Sequence, residues 1–494
     1  MSADPIARGL ASKARNSVAT VAKSSNTAQL VSAIRSNGFF PQPLARAPAN
    51  DIPVIALGTA GAVSAINARA AGTPLVLASD SRIRWLNGPL SADGSGCWYP
   101  RGAWYGAGRN SQYAAIEFVH TGTDLELCFL GSFYGATNNL RVLVNDRIVT
   151  MQSLPAATGS YYYLRLTFPA SATRRIRIEG ASGKFRGINV ALDTAIAGTG
   201  RAYPLISVMG DSFSEGTGAN PVMDGEAVSL VRALGGDIML GAVGGTGLLA
   251  AGSYTTWTNA TRITDLTMAG VTDAFGRSTT PALGVVLMTF NDRASPFATW
   301  SAFGATYQAA VNNRVWALID AWTAANPGKP LVVFGPTWPS DAPSLDVHRI
   351  RDAAQEACWG AASSNVWFID RLAPAPILRR GTKAVLTTTG TTTNASAVLT
   401  ALGSTLNLGQ EFGVTGTGIP AGARIMSVDS ATQVTLDLPC TASASGVSVT
   451  FLNDHAATLT ALPADATHPN TAGHNLDALW MARALRNLIL TELA

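Results

Sequence analysis

The sequence predicts an α/β protein built on a doubly wound parallel sheet, with an all-β region ahead of it and a small all-β module set into it. Three observations carry this reading. Between residues 204 and 375, "PLISVMG", "DIMLGAV", "LGVVLMTF", "KPLVVFGP" and "NVWFID" are continuous apolar runs, as expected of strands buried on both faces. Helical patterns separate them, which implies right-handed crossovers. From about 75 to 195, by contrast, apolar and polar residues alternate between Gly, Asn and Ser, the texture of short antiparallel strands.

The chain divides accordingly into 1–50, a helix and linker; 51–200, a jelly-roll-like β-sandwich; 201–381 and 453–494, two parts of the α/β domain; and 382–452, the inserted module. In the first part Ile6, Leu10, Ala14, Val18 and Val21 recur at helical spacing, with Arg8, Lys13, Arg15 and Lys23 on the remaining face. Such a helix docks on its own protein or sister subunits, or anchors the chain to a larger particle or an anionic surface. "FFPQPLARAPANDIP" then supplies four prolines, an extended linker.

In the β region "LVNDRIV" reads as a hairpin turn, and "GCWYPRGAWYG" brings Trp98, Tyr99, Trp104 and Tyr105 together. Trp98 and Trp104 are candidates for stacking on sugar rings, although sandwich cores also take up aromatics. In the α/β part, Tyr307, Val311, Val315, Leu318 and Trp322 form one helical stripe, and Leu476, Trp480, Ala484 and Leu488 another in the closing helix. A further helix is expected near Leu345–Ala362. Residues 382–452 are rich in Thr, Ser, Gly and Val, almost without charge; the "GIPAG" turns resemble β repeats of phage tail fibres.

Composition narrows the function. Charged residues make up 13% of the 494, about half the usual share of roughly 25%. The balance of 35 basic against 31 acidic residues argues against a nucleic-acid partner. No apolar stretch reaches membrane-spanning length, and the N-terminus lacks the core of a secretory signal, so the expected location is extracellular by another route, or on a virion. Cys97, Cys128, Cys358 and Cys440 contain no CxxC pair; a Cys97–Cys128 bridge and buried thiols both stay open. His120, His348, His455, His468 and His474 show no metal-ligand spacing.

In an open parallel sheet the reacting groups gather beyond the C-terminal strand ends. Gly210-Asp211-Ser212 follows the first strand, Gly244, Gly245 and Gly247 the second, and Asn291-Asp292 the third; Asp465 and His468 precede the last helix. A serine hydroxyl becomes nucleophilic when a base takes its proton, and histidine titrates near the working pH. A carboxylate such as Asp465 fixes the imidazole tautomer. The backbone N–H groups of Ser212 and Gly245, with the Asn291 amide, are candidates for an oxyanion hole. Asp211 and Asp292 are read as structural, and His474 as a packing or capping residue.

This set of motifs (GDS, a Gly-rich block, ND, DxxHP) resembles the SGNH, or GDSL-type, serine hydrolases. The resemblance covers roughly 204–375 and 455–494. It implies a flavodoxin-like α/β/α domain, no cofactor, and a Ser212–His468–Asp465 triad with Ser212, Gly245 and Asn291 forming the oxyanion hole. Phe213 stands where the family has Leu, Thr289 where it has Gly, and the second block lacks its leading Asn. With a β-sandwich in front, the arrangement is similar to certain carbohydrate esterases. The expected function is therefore removal of acetyl groups from a polysaccharide. The alternatives are a phage or surface glycan-binding adhesion protein with a vestigial site, or a lipase or thioesterase. The expected partners are an acetylated polysaccharide or other small-acyl ester, with self-association or a phage particle engaged through the N-terminal helix.

Overall fold

The computed structural model of the chain describes residues 30–32, 34–35, 46–86, 90–92, 98–100, 113–130, 139–153, 159–181, 184–201, 203–219, 222–252, 254–271, 279–338, 343–361, 365–372, 383–406, 408, 412–421, 423–453, 467–469 and 471–492. Among the described residues the α/β domain has a five-stranded, all-parallel sheet in the order Asp237–Ala242, Leu205–Gly210, Leu283–Leu287, Leu331–Phe334, Val366–Ile369. Numbered along the chain the order is 2-1-3-4-5, a doubly wound arrangement.

The apolar runs are buried because both faces are covered. Ile206, Val208, Val285, Leu287 and Val332 face helices Glu226–Ala233 and Thr471–Glu492. Met209, Val286 and Val333 face helices Ala260–Thr267, Tyr307–Ala325 and Leu345–Gly360. Of the predicted stripe on Tyr307–Ala325, Val311, Val315, Leu318 and Trp322 are buried. In the last helix the predicted stripe is displaced: Ala478, Met481, Ala482, Leu485 and Ile489 are buried, while Leu476, Trp480, Ala484 and Leu488 are only half-buried. The cause is a set of polar residues, His474, Asn475 and Asp477, which this helix turns inward. Leu30, Val31 and Ile34, from the end of the N-terminal segment, join the same core; the stripe from Ile6 to Val21 lies outside the described residues.

The region ahead differs from the expected pair of sheets. Among the described residues it is one eleven-stranded antiparallel sheet. Its spine is the ribbon of Tyr113–Leu130 and Tyr161–Ala181, paired end to end. The register slips where Gly122 pairs with Ala172 but Asp124 with Thr167, so one strand carries extra residues and the ribbon bends. Because both strands continue through the bend, the two arms stay one sheet, closed over a core that includes Phe118, Leu127, Leu164 and Ile178. The "LVNDRIV" hairpin is present: Asn145 and Asp146 have φ of 51° and 65° between the paired Val144 and Arg147, as a primed turn requires.

Among the described residues the inserted module consists of two three-stranded sheets around its own core of Leu399, Val414, Val434 and Phe451. Cys128, Cys358 and Cys440 carry buried thiols, and Cys97 lies outside the described residues. Among the described residues no helix is long and apolar enough to cross a membrane.

The β region and the α/β domain meet through buried charge. Arg141 binds Glu179 at 2.6 Å on its own sheet and Asp224 at 2.7 Å across the junction. Arg232 also reaches Glu179, at 3.3 Å. Burial alone would raise the Glu179 carboxyl, but Arg232, Arg141 and Arg177 hold it down at about 2. Removing one guanidinium strands buried carboxylates, so Arg141→Ala should cost about 3–5 kcal/mol. Denaturant unfolding followed by tryptophan fluorescence checks this; a loss under about 1 kcal/mol would show that water replaces the arginine.

Candidate active site

Parallel pairing sets the site. Gly210 lies beside Ala242 and Met209 beside Val286, so the loops that follow the first three strands emerge together. The chain leaves the first strand at Gly210 and turns at once into the short helix Ser212–Glu215, which ends at Gly216 with φ 88°. The buried Asp211 caps this helix by accepting from the Phe213 N–H. The turn sets the Ser212 hydroxyl at the sheet's edge, half-buried.

His468 Nε2 lies 2.7 Å from Ser212 Oγ, although 256 residues separate the two in sequence. The imidazole is half-buried and packs on the Phe213 ring, with centroids 5.2 Å apart. Asp465, predicted to orient it, lies outside the described residues. So does Trp104, and Trp98 belongs to the strand Trp98–Pro100 in the β region.

Gly245 occupies the third position of a turn closed by Thr246 N–H on the Val243 carbonyl, with φ 73°. That left-handed backbone suits glycine. Gly252, which sequence reasoning missed, packs against it: a Cβ there would lie 2.7 Å from the Gly245 carbonyl carbon. Neither the Ser212 N–H nor the Gly245 N–H has an acceptor among the described residues.

The Asn291 side chain is placed differently from expectation. Its Nδ2 donates to Asp211 Oδ2 at 2.9 Å and to the Thr246 carbonyl at 3.0 Å, which takes up both amide protons. Thr289, the departure from glycine, donates its hydroxyl to the same Asp211 oxygen. Burial, opposed mainly by the Thr289 hydrogen bond, raises the Asp211 carboxyl to about 7. Asp292 accepts from the N–H groups of Leu248, Leu249 and Ala250 and so braces the second loop.

Behind Ser212 lies a buried polar layer that the sequence did not reveal. Ser214 donates to Glu226 at 3.1 Å, and Arg371 joins Glu226 to Asp477. His474 accepts the Glu226 N–H on Nδ1 and bonds the Thr217 carbonyl through Nε2. Burial lowers its imidazole to about 4, which keeps it neutral. Among the described residues no group of His, Cys, Asp and Glu could hold a metal ion.

No protein-family model and no curated protein matches the sequence. Among solved structures, the chain is similar to a family two carbohydrate esterase from Cellvibrio japonicus, with 15% identity, a TM-score of 0.43, and coverage of 64% of this chain and 89% of that one. It is similar to a salicylyl-acyltransferase, SsfX3, from a tetracycline biosynthetic pathway, with 12% identity, a TM-score of 0.49, and coverage of 85% and 98%. An acetyl xylan esterase, Est2A, from Butyrivibrio proteoclasticus gives 13% identity, a TM-score of 0.42, and coverage of 64% and 89%.

The contact between Gly252 and Gly245 yields a test. Gly252→Ala adds a methyl at a positive φ and against backbone, at an expected cost of about 1–3 kcal/mol. Denaturant unfolding measures it; an unchanged midpoint would show that the loop yields freely.

Proposed function

We propose that the protein is a serine ester hydrolase that removes short acyl groups, acetyl foremost, from a polysaccharide. The observation that carries the proposal is the 2.7 Å approach of His468 Nε2 to Ser212 Oγ at the C-terminal edge of the sheet. At that distance the imidazole takes the hydroxyl proton as the oxygen attacks the ester carbonyl. The tetrahedral intermediate collapses to an acyl-serine, and His468 returns the proton to the departing alcohol. Water then repeats the sequence and frees the acid.

The developing oxyanion needs N–H donors, for which the Ser212 and Gly245 amides are the nearest candidates. Asn291 would join them only by giving up its bond to Asp211 or to Thr246. Asp465, three residues before His468, is the proposed partner of the second imidazole nitrogen. The polysaccharide part of the proposal draws on the architecture. A separate β region precedes the hydrolase, and the β module is inserted in the chain just ahead of the His468 segment, as a wall for a large substrate.

Acetate release from an acetylated polysaccharide tests this. Ser212→Ala and His468→Ala should each lower kcat by about 10³-fold or more. Rates equal to the parent's would overturn it. With p-nitrophenyl esters, acetate should be turned over faster than octanoate; the reverse order would move the substrate to lipids.

A further inference from the structure

We propose that Asp211, held by Thr289, is the positioning residue of this hydrolytic site: its carboxylate ties the nucleophile loop to Asn291 and, through Asn291, to the turn that carries Gly245. The inference rests on the serine-hydrolase reading above and assigns a part to the one position where the third loop departs from the usual glycine.

The geometry is a convergence of donors. The Phe213 N–H reaches Asp211 Oδ1 at 3.1 Å, while the Thr289 hydroxyl and the Asn291 amide both reach Oδ2. The second Asn291 proton goes to the Thr246 carbonyl, one residue beyond Gly245. One fully buried carboxylate therefore joins the loops after the first and third strands directly, and the loop after the second strand through Asn291. Threonine can supply the third donor; glycine could not.

Three donors on two oxygens call for an ionised acid. When Asp211 takes a proton, one oxygen becomes a donor. The Thr289 hydroxyl can rotate and accept from it, but the Asn291 N–H cannot, so the bond that holds Asn291 is the one weakened. Arg371 and Asp292 also face this carboxyl: Arg371 favours the charged form and Asp292 opposes it. Burial has raised the Asp211 carboxyl from 3.8 to about 7, so the ionised, assembled state is present above that pH and is lost as pH falls through it. The Thr289 hydrogen bond acts against that rise, so its removal should move the transition to still higher pH.

The test is the pH profile of kcat/KM on p-nitrophenyl acetate for the parent, Thr289→Val, Thr289→Ser and Asp211→Asn, each checked for folding by circular dichroism. For Thr289→Val, the acid limb should move up by half a pH unit or more, with kcat down by about 10- to 100-fold and KM little changed. Thr289→Ser, which keeps the hydroxyl, should restore the parent profile. Asp211→Asn cannot titrate and should lose the part of the acid limb that falls at the Asp211 transition. If Thr289→Val fails to fold, Asp211→Asn decides. A Ser212-dependent parent whose acid limb is unmoved in Thr289→Val or unchanged in Asp211→Asn overturns the proposal and leaves the hydrolase reading intact. A parent no faster than Ser212→Ala overturns both.

Discussion

The site depends on one constraint, the two-sided parallel pairing of Leu205–Gly210. This strand lies between Asp237–Ala242 and Leu283–Leu287 and ends level with both. A strand paired on both sides cannot slide without breaking two ladders of hydrogen bonds, so its last residue is fixed in space. Gly210 leaves room for Ser214 beneath it: a Cβ there would lie 2.1 Å from the Ser214 hydroxyl. The helix carrying Ser212 can therefore turn immediately, and the hydroxyl is set where the other loops arrive.

Around this point, buried polar groups replace the rigidity that a loop lacks. Asp211, Asp292, Glu226, Asp477 and Arg371 are all shielded from water and hydrogen-bonded to backbone or to one another. Such groups are costly to strand, which makes each loop conformation hard to leave. The same device joins the β region to the α/β domain through Arg141, Glu179, Asp224 and Arg232. Asp224 precedes the helix Glu226–Ala233, whose first residue bonds Ser214. A chain of buried contacts thus runs from the first region to the floor of the site.

Much of this was legible in the sequence because parallel strands announce themselves as apolar runs and because GDS, GG, ND and HP fall where those runs end. The meeting of Ser212 and His468 followed from that topology. Charge on the strands is where the pattern is silent: Arg141, Arg177, Glu117 and Glu179 occupy the polar positions of an alternating run, which does not tell a solvent face from a domain junction. Yet all four are buried, and Arg141 and Glu179 bind Asp224 and Arg232 of the α/β domain. The last helix misled for a related reason, since its buried face includes His474 and Asp477. Asn291 was read as a donor to substrate. Its carboxylate partner, Asp211, could not be inferred from spacing, because nearly eighty residues and a strand crossover lie between them.

The central claim is that His468 makes the Ser212 oxygen nucleophilic, and covalent trapping tests it most directly. The chain is incubated with diethyl p-nitrophenyl phosphate and read by intact mass and peptide mapping. One phosphoryl group should appear, on the Ser212 peptide, and His468→Ala should remain unlabelled over the same period. A label on another residue, no label at all, or equal labelling of His468→Ala would contradict the account.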